Sequence, residues 1–217
     1  MKNKKQLWLF GTFLFIAAFV FITALAANAK PDIEQQIAKP PKDKGNWVGA
    51  WAASPRGPLE DGISRRGFHH QTLRQIVHPH MEGSKLRIRL SNTFGKDPVT
   101  FDEVHVAVSK QGAKTVPGSD HPVTFDAHNK VTIPPGKAVF SDPVSMHVSG
   151  KGELAVSIYV DGDSGPATWH PHSLQNAYIS GAGNHTAEAK DAAFSKKVTG
   201  WFWLDGIDVK AKPSVKG

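Results

Sequence analysis

One tripeptide in this sequence, Gly162-Asp163-Ser164, has residue types that could perform acyl transfer. It follows an alternating apolar segment at residues 154–160, and a strand followed by a turn is one way in which a hydrolytic enzyme presents a nucleophilic serine. Such a serine normally opens a helix whose backbone N–H groups stabilise an oxyanion. Pro166 and Pro171 leave room for only about one helical turn after Ser164. We therefore interpret the tripeptide as a polar turn and predict no catalytic residue in it.

A general base and its orienting carboxylate could come from Asp102 and His105, which have the Asp-x-x-His spacing. The segment around them alternates apolar and polar residues, as a β-strand does. Residues three apart on a strand point to opposite faces, so we expect no contact between these two side chains. A catalytic set of Asp102, His105 and Ser164 is therefore not predicted.

Two His-Pro-His segments, His78/His80 and His170/His172, could each supply half of a zinc site. No carboxylate lies at a ligand-like spacing beside either pair. We therefore predict no metal site, and nothing else in the sequence indicates a cofactor.

Six tryptophans raise the possibility of sugar binding, because an exposed indole offers a flat apolar face. Trp169 lies in a predicted loop beside the second histidine pair, so Trp169, His170 and His172 are the predicted ligand-binding residues. The other tryptophans of the domain lie in predicted strands, where core packing is the default: Trp47, Trp51, Trp201 and Trp203.

The elements that position these residues are predicted to be strands. Leu86, Ile88 and Leu90 alternate with polar residues, and residues 104–108 and 154–160 do the same. Turn signals with Gly or Pro separate them, at residues 95–98, 117–118, 134–136, 142–143 and 165–166. This pattern predicts an all-β fold, an antiparallel β-sandwich of jelly-roll type in a single domain. Residues 186–194 could form a short helix or a loop.

The chain is divided by composition into four parts. Residues 7–27 are uncharged and largely apolar, follow a basic start and end at Ala27-Asn28-Ala29. They predict a signal peptide over residues 1–29, or a retained membrane anchor if the run is not cut, so the domain is expected to be secreted or extracytoplasmic. A spacer rich in Pro and charge (30–46), the sandwich (47–209) and a basic tail (210–217) follow.

Composition also excludes several classes of function. The chain has no Cys, which rules out disulfides, thiolate catalysis and cysteine-ligated zinc. Removal of Lys2, Lys4 and Lys5 with the signal lowers the formal charge from +7 to +4. The remaining lysines are spread out and not interleaved with aromatics, so no nucleic-acid partner is predicted. Wall polymers and lipid head groups are the natural anions outside a membrane.

Seven blocks of sequence, in this order, carry a resemblance to a known family. They are residues 47–55 (WVGAWAASP), 71–79 (QTLRQIVHP), 87–95 (RIRLSNTFG), 131–136 (VTIPPG), 141–144 (SDPV), 167–171 (ATWHP) and 206–209 (GIDV). Together they resemble the N-terminal region of bacterial secreted GDSL/SGNH hydrolases.

The resemblance implies a β-rich front region followed by a strand with the catalytic Gly-Asp-Ser, oxyanion blocks and a final Asp-x-x-His. The sequence stops at Gly217, where that strand is expected to begin, so no catalytic residue can be carried over. The expected function is therefore a front domain of an acyl-ester hydrolase, inactive alone, whose GDSL catalytic domain is missing or separately encoded. The alternative is a free-standing module that binds wall glycan or a surface partner through Trp169 and its neighbours.

Overall fold

The computed structural model describes residues 45–212, so the predicted signal or anchor, the spacer up to residue 44 and the tail after residue 212 lie outside the described part. Within residues 45–212 the chain forms fifteen strands and one short helix, α1 (Ile63–Arg66). The strands are β1 (Trp47–Ala52), β2 (His69–Val77), β3 (Leu86–Ser91), β4 (Val99–Phe101), β5 (Glu103–Gln111), β6 (Lys114–Thr115), β7 (His121–Val123), β8 (Val131–Ile133), β9 (Ala138–Phe140), β10 (Leu154–Asp163), β11 (Trp169–His170), β12 (Asn176–Ala182), β13 (Lys196–Thr199), β14 (Trp201–Phe202) and β15 (Leu204–Lys210).

Two antiparallel sheets make up the sandwich. The small sheet has four strands in the order β1-β15-β3-β9. The large sheet has seven strands, in the order β13-β12-β2-β10-β5-β6 with β7 also paired to β5. Two short ladders, β4 with β8 and β11 with β14, connect the loops. This confirms the predicted all-β antiparallel sandwich in a single domain. No helix in the described part is long and apolar enough to cross a membrane.

Side chains from both sheets meet in one hydrophobic core. Leu86, Ile88 and Leu90 of the small sheet are completely buried, as are Val156 and Ile158 of the large sheet. Their alternation with polar residues predicts that these five side chains face inward, and the structure confirms it. Because burial of such side chains is the main favourable term in folding, these strands hold the sandwich together.

Strand β3 shows how alternation places charge on the opposite face of the small sheet. Arg87 and Arg89 point away from the core and bind Asp208 and Asp205 of the neighbouring β15, at 2.7 and 2.8 Å. The Arg87 guanidinium also lies 4.9 Å from the ring centre of Trp47. A cation against an aromatic face is a favourable contact. Arg87 therefore covers Trp47 and links strands β1, β3 and β15, and Arg89 links β3 to β15.

The centre of the large sheet is buried on both of its faces, whereas alternation alone predicts half-buried strands. All seven residues 154–160 of β10 are buried, including the polar Ser157, which lies opposite Arg74 and His105 on the face away from the core. Residues 112–120, which include the short strand β6 paired with the end of β5, and residues 183–195 are here called the outer layer. They cover this face, and the Thr115 N–H donates to the Ala189 carbonyl between them (3.0 Å). Residues 186–194 therefore form a loop rather than a helix.

Candidate functional site

The hydroxyl of Ser164 is used to hold the fold together. Gly162 and Asp163 form the end of β10 rather than a turn, and the chain turns only from Ser164 onward. The Ser164 Oγ accepts the N–H of Phe68 at 2.9 Å and donates to the carbonyl of Gly165 at 2.8 Å. The bond to Phe68 ties the residue after β10 to the residue before β2, whereas the bond to Gly165 lies within the turn, so this hydroxyl supports the strand ends.

Asp102 and His105 have separate partners. The Asp102 carboxylate accepts the backbone N–H of Asp161 (2.9 Å) and pairs with Lys130 (2.7 Å). His105 instead lies between Asp120 and Glu103, each 2.7 Å from one ring nitrogen. As expected from the sequence, Asp102 does not orient His105.

Trp169 is buried, so the prediction that it offers an exposed indole is wrong. Only 7% of its surface is accessible; its ring stacks on Phe202 at 5.5 Å and its Nε1–H donates to the Gly57 carbonyl at 3.2 Å. In the short ladder of β11 with β14, Trp169 lies opposite Phe202, and His170 lies opposite Trp201. Because successive strand residues point to opposite faces, Trp169 turns into the core and His170 turns outward.

His170 and His172, the other two predicted ligand-binding residues, remain near the surface. His170 is half-buried, with Nδ1 2.7 Å from the Ser54 carbonyl oxygen and its ring 5.5 Å from that of Trp201. Trp201 in turn meets Trp51 edge to face at 4.9 Å. His172 is exposed and has a positive φ of 55°. Ligand binding by these histidines stays a prediction.

The remaining histidine pair also lies at the surface. His78 and His80 are exposed, and their ring centres are 5.2 Å apart. Among residues 45–212 no group of three or more His, Asp or Glu side chains is placed to hold a metal ion. The pair therefore has no additional ligands within the described part of the chain.

A polar cluster beneath the outer layer was not predicted from the sequence. Its centre is Arg74 of β2, which is completely buried. The guanidinium donates to the Ser157 hydroxyl at 2.8 Å and to three backbone carbonyls of the outer layer, those of Ala113, His185 and Thr186, at 2.7 to 3.1 Å. A single side chain therefore attaches both segments of the outer layer to the large sheet.

Arg74 remains charged despite its burial. Burial lowers the pKa of Arg74 to about 10, against the raising effect of the Asp120 and Glu188 carboxylates. The cation also lies 4.3 Å from the ring centre of Phe194. A buried charge is tolerated only when it is hydrogen-bonded or paired. Here backbone carbonyls, a hydroxyl and an aromatic face stabilise the charge of Arg74.

His105, beside Arg74 on the same face, is a protonated bridge between two carboxylates. Carboxylates only accept hydrogen bonds, so both ring nitrogens of His105 must donate, to Asp120 and to Glu103. Burial would lower the pKa of His105, but the hydrogen bonds and charges of Asp120, and then of Glu103, outweigh it and raise the pKa above 6.5. Glu103 also accepts from Asn184 of the outer layer. The charged state of His105 therefore supports the attachment of the outer layer.

We expect the free energy of unfolding to fall as the pH rises through the folded-state pKa of His105. A histidine whose pKa is raised by folding contributes its full stabilisation below the unfolded value of 6.5 and loses it above the folded value. Urea unfolding from mildly acidic to mildly alkaline pH would show this slope in the wild type and a flatter profile in His105→Gln.

His185 is the matched control for this measurement. Its pKa is also raised, chiefly by a hydrogen bond to Glu188, but the pair is more exposed and therefore screened by water. His185→Gln should keep most of the slope. Equal slopes in the wild type and His105→Gln would contradict the assignment.

A second group of titratable side chains surrounds the start of β2. The Tyr159 hydroxyl donates to Asp161 at 2.6 Å, and His70 Nδ1 lies 3.0 Å from the same carboxylate. The hydrogen bond from Tyr159, and then that from His70, lower the pKa of Asp161, while the same bond and burial raise the pKa of Tyr159 to about 12. Next to them His69 Nδ1 lies 2.9 Å from Asp163. This network fixes the end of β10 against β2.

Comparisons with known proteins identify no family for this chain. No family model and no curated protein matches it. Among solved structures, the clostridial cysteine protease Cwp84 after propeptide cleavage aligns with a TM-score of 0.38 and 14% identity. The alignment covers 66% of this chain and 36% of that one, so this chain spans little more than a third of that protein. A likeness at this level has no bearing on function.

Proposed function

We propose that this protein is the non-catalytic front domain of an exported GDSL/SGNH-type ester hydrolase, and that a catalytic domain outside this sequence is its partner. The observation that carries the proposal is the mutual bonding of three blocks named above. Thr168 Oγ1 of residues 167–171 accepts the Phe94 N–H of residues 87–95 at 3.0 Å. His170 of the same block binds the Ser54 carbonyl of residues 47–55.

These contacts give the three blocks a positioning role. They join loops from both sheets at one place, and Arg56 and Trp169 exchange two backbone hydrogen bonds there (2.7 and 3.1 Å). Phe94 is 47% exposed beside them. An aromatic side chain fixed at the surface by a rigid framework is a typical anchor in a domain interface, so Phe94 is the contact we propose for the catalytic partner.

Export is the other half of the proposal. It is supported by the apolar run at residues 7–27 and the Ala27-Asn28-Ala29 site, which lie outside the described residues. A membrane contact is proposed only through residues 7–27, in the case that they are retained.

The purified protein is expected not to hydrolyse short-chain aryl esters above a protein-free blank. Acyl transfer needs a nucleophile, a base within about 3 Å and preorganised oxyanion donors. The Ser164 hydroxyl already donates to the Gly165 carbonyl, and the His105 nitrogens already bind carboxylates. Ester turnover and fluorophosphonate labelling would be measured on the wild type and on folded Ser164→Ala.

Stoichiometric labelling that is lost in Ser164→Ala and weakened in His105→Ala would contradict the proposal. The positive test mixes the protein with a separately expressed GDSL-type catalytic domain, encoded downstream or taken from a family member. A gain in its activity or solubility that Phe94→Ala weakens supports the front-domain role. No gain, together with retention of the chain on insoluble wall glycan, would favour the binding module instead.

A further inference from the structure

We infer that a cleft beside the start of β2 binds a sugar or polyol unit that carries a phosphate or carboxylate group. The β2 cleft has a volume of about 300 Å³, and Arg66, Lys196, Asp163 and Ile179 are among the residues that line it. This volume is at the lower end of the range for small-molecule pockets. The inference depends neither on the esterase family nor on the proposed catalytic partner.

Charge is the first argument for an anionic ligand. Arg66 and Lys196 are exposed at the β2 cleft, and neither side chain forms an ion pair with any residue in the described part of the chain. The cleft also contains the Asp163 carboxylate, but His69 Nδ1 lies 2.9 Å from it. Two cations that form no ion pair within residues 45–212 select for an anion, and one of them is a guanidinium that can bind phosphate or carboxylate with two hydrogen bonds.

The lining of the cleft is the argument for a sugar or polyol body. Ile63 contributes apolar surface that suits C–H groups, beside the almost fully buried Phe68 and Ile179. Gln71 and His69 contribute groups that can hydrogen-bond hydroxyls. Within residues 45–212, the large apolar side chains that are exposed all lie outside this cleft: Leu59, Phe94, Val116 and Leu174. A lipid is therefore a less suitable ligand.

The backbone around the β2 cleft is held in an unusual conformation. Gly67 has a φ of +72°, and a Cβ there would lie 2.1 Å from the Gly165 carbonyl oxygen, so no other residue fits. His70 has a φ of +50° although it is not glycine. Both ladders of β2 shift register at this end. Strained residues and β-bulges concentrate at binding sites, where they fix side chains in advance of the ligand.

The test uses two double variants that remove equal charge. Arg66→Ala/Lys196→Ala removes both cations of the β2 cleft. Arg65→Ala/Lys197→Ala removes their exposed sequence neighbours, which do not line the cleft. Lys196 lies opposite the core residue Ile179, and Lys197 lies opposite Tyr178, so the two lysines are on opposite faces of the sheet.

Binding of a glycerol-phosphate oligomer and of an oligoglucuronate would be measured by calorimetry on the full chain at low and high salt. We expect salt-sensitive binding of at least one of them, reduced at least about tenfold in Arg66→Ala/Lys196→Ala because two charge-assisted contacts are lost. The neighbouring double variant should stay within about twofold of the wild type. Thermal melting would show that both variants are folded.

The same measurement with monomeric glycerol phosphate and monomeric glucuronate shows whether the natural ligand is a polymer or a free metabolite. An affinity for the oligomer above that for its monomer indicates a polymer, and equal affinities indicate a free anionic sugar or polyol. Equal losses in the two double variants would overturn the inference, since general charge attraction would then explain the binding. So would no measurable binding, or tighter binding to a single-stranded oligonucleotide or to anionic lipid vesicles than to either probe.

Discussion

Replacement of Arg74 by methionine is expected to lower the free energy of unfolding by about 3 to 5 kcal/mol. The side chain is completely buried, and three of its acceptors are the carbonyls of Ala113, His185 and Thr186. Methionine keeps an unbranched apolar stem but donates no hydrogen bond, so these carbonyls would remain buried without a partner. The outer layer would also lose its attachment to the large sheet.

Urea unfolding and limited proteolysis would measure both effects, with faster cleavage expected within residues 183–195. Arg74→Lys should recover only part of the stability, because an ammonium keeps the charge but lacks the planar fork of donors. Arg65→Met is the matched control, since Arg65 is exposed and its replacement should change stability by no more than about 0.5 kcal/mol. If Arg74→Met were as stable as Arg65→Met, the conclusion that Arg74 holds the outer layer on the large sheet would be wrong.

Truncation of Ile158 to alanine is the second large effect, with an expected loss of about 2 to 5 kcal/mol. Ile158 has no accessible surface and lies directly opposite Leu73 and Val104 in the middle of the large sheet. Alanine would leave a cavity that three paired strands cannot close. The melting temperature should therefore fall by roughly 4 to 20 °C, at about 2 to 4 °C for each kcal/mol.

Leu174→Ala is the matched control for Ile158→Ala. Leu174 is 98% exposed, so the same kind of truncation removes no packing and should leave the melting temperature nearly unchanged. An Ile158→Ala protein that melts with the wild type would show that this strand does not bury Ile158 as described.

The sequence predicts the strands of this fold where one face meets the core and the other meets water. Strand β3 (Leu86–Ser91) is the clearest case: Leu86, Ile88 and Leu90 are buried, as their alternation predicts, while Arg87 and Arg89 face outward. The Gly and Pro signals also predict the breaks between strands, for example before β9. Local patterns of this kind depend only on neighbours along the chain.

The exposure of Trp169 is wrongly predicted because the direction of its side chain depends on a strand of two residues. The predicted loop contains the ladder of β11 with β14, and one step along it separates the buried Trp169 from the outward His170. An alternation of apolar and polar residues cannot be recognised from two residues, so the sequence does not indicate which of the two faces the core.

The polar cluster under the outer layer could not be predicted for a different reason. Arg74 lies in β2 among both polar and apolar residues, and its partners are 39 to 112 residues away in the sequence. The sequence pattern does not indicate that the outer layer covers the large sheet. It also does not indicate which groups bind a charged side chain beneath that layer. One signal is present, since Arg74 follows Leu73 and closely precedes the apolar pair Ile76-Val77 in the sequence. An arginine whose charged end reaches the surface gives the same pattern.

The pairing of the first and last strands has a consequence for how the protein is made. Trp47 of β1 lies opposite Lys210 of β15, and β15 also separates β1 from β3 in the small sheet. Until residues 204–210 have left the ribosome, β1 has no strand to pair with, and the loop to be closed is nearly as long as the domain. Such non-local pairing folds slowly. The small sheet therefore stays incomplete until synthesis is almost finished, which leaves time for a chaperone to bind the nascent chain.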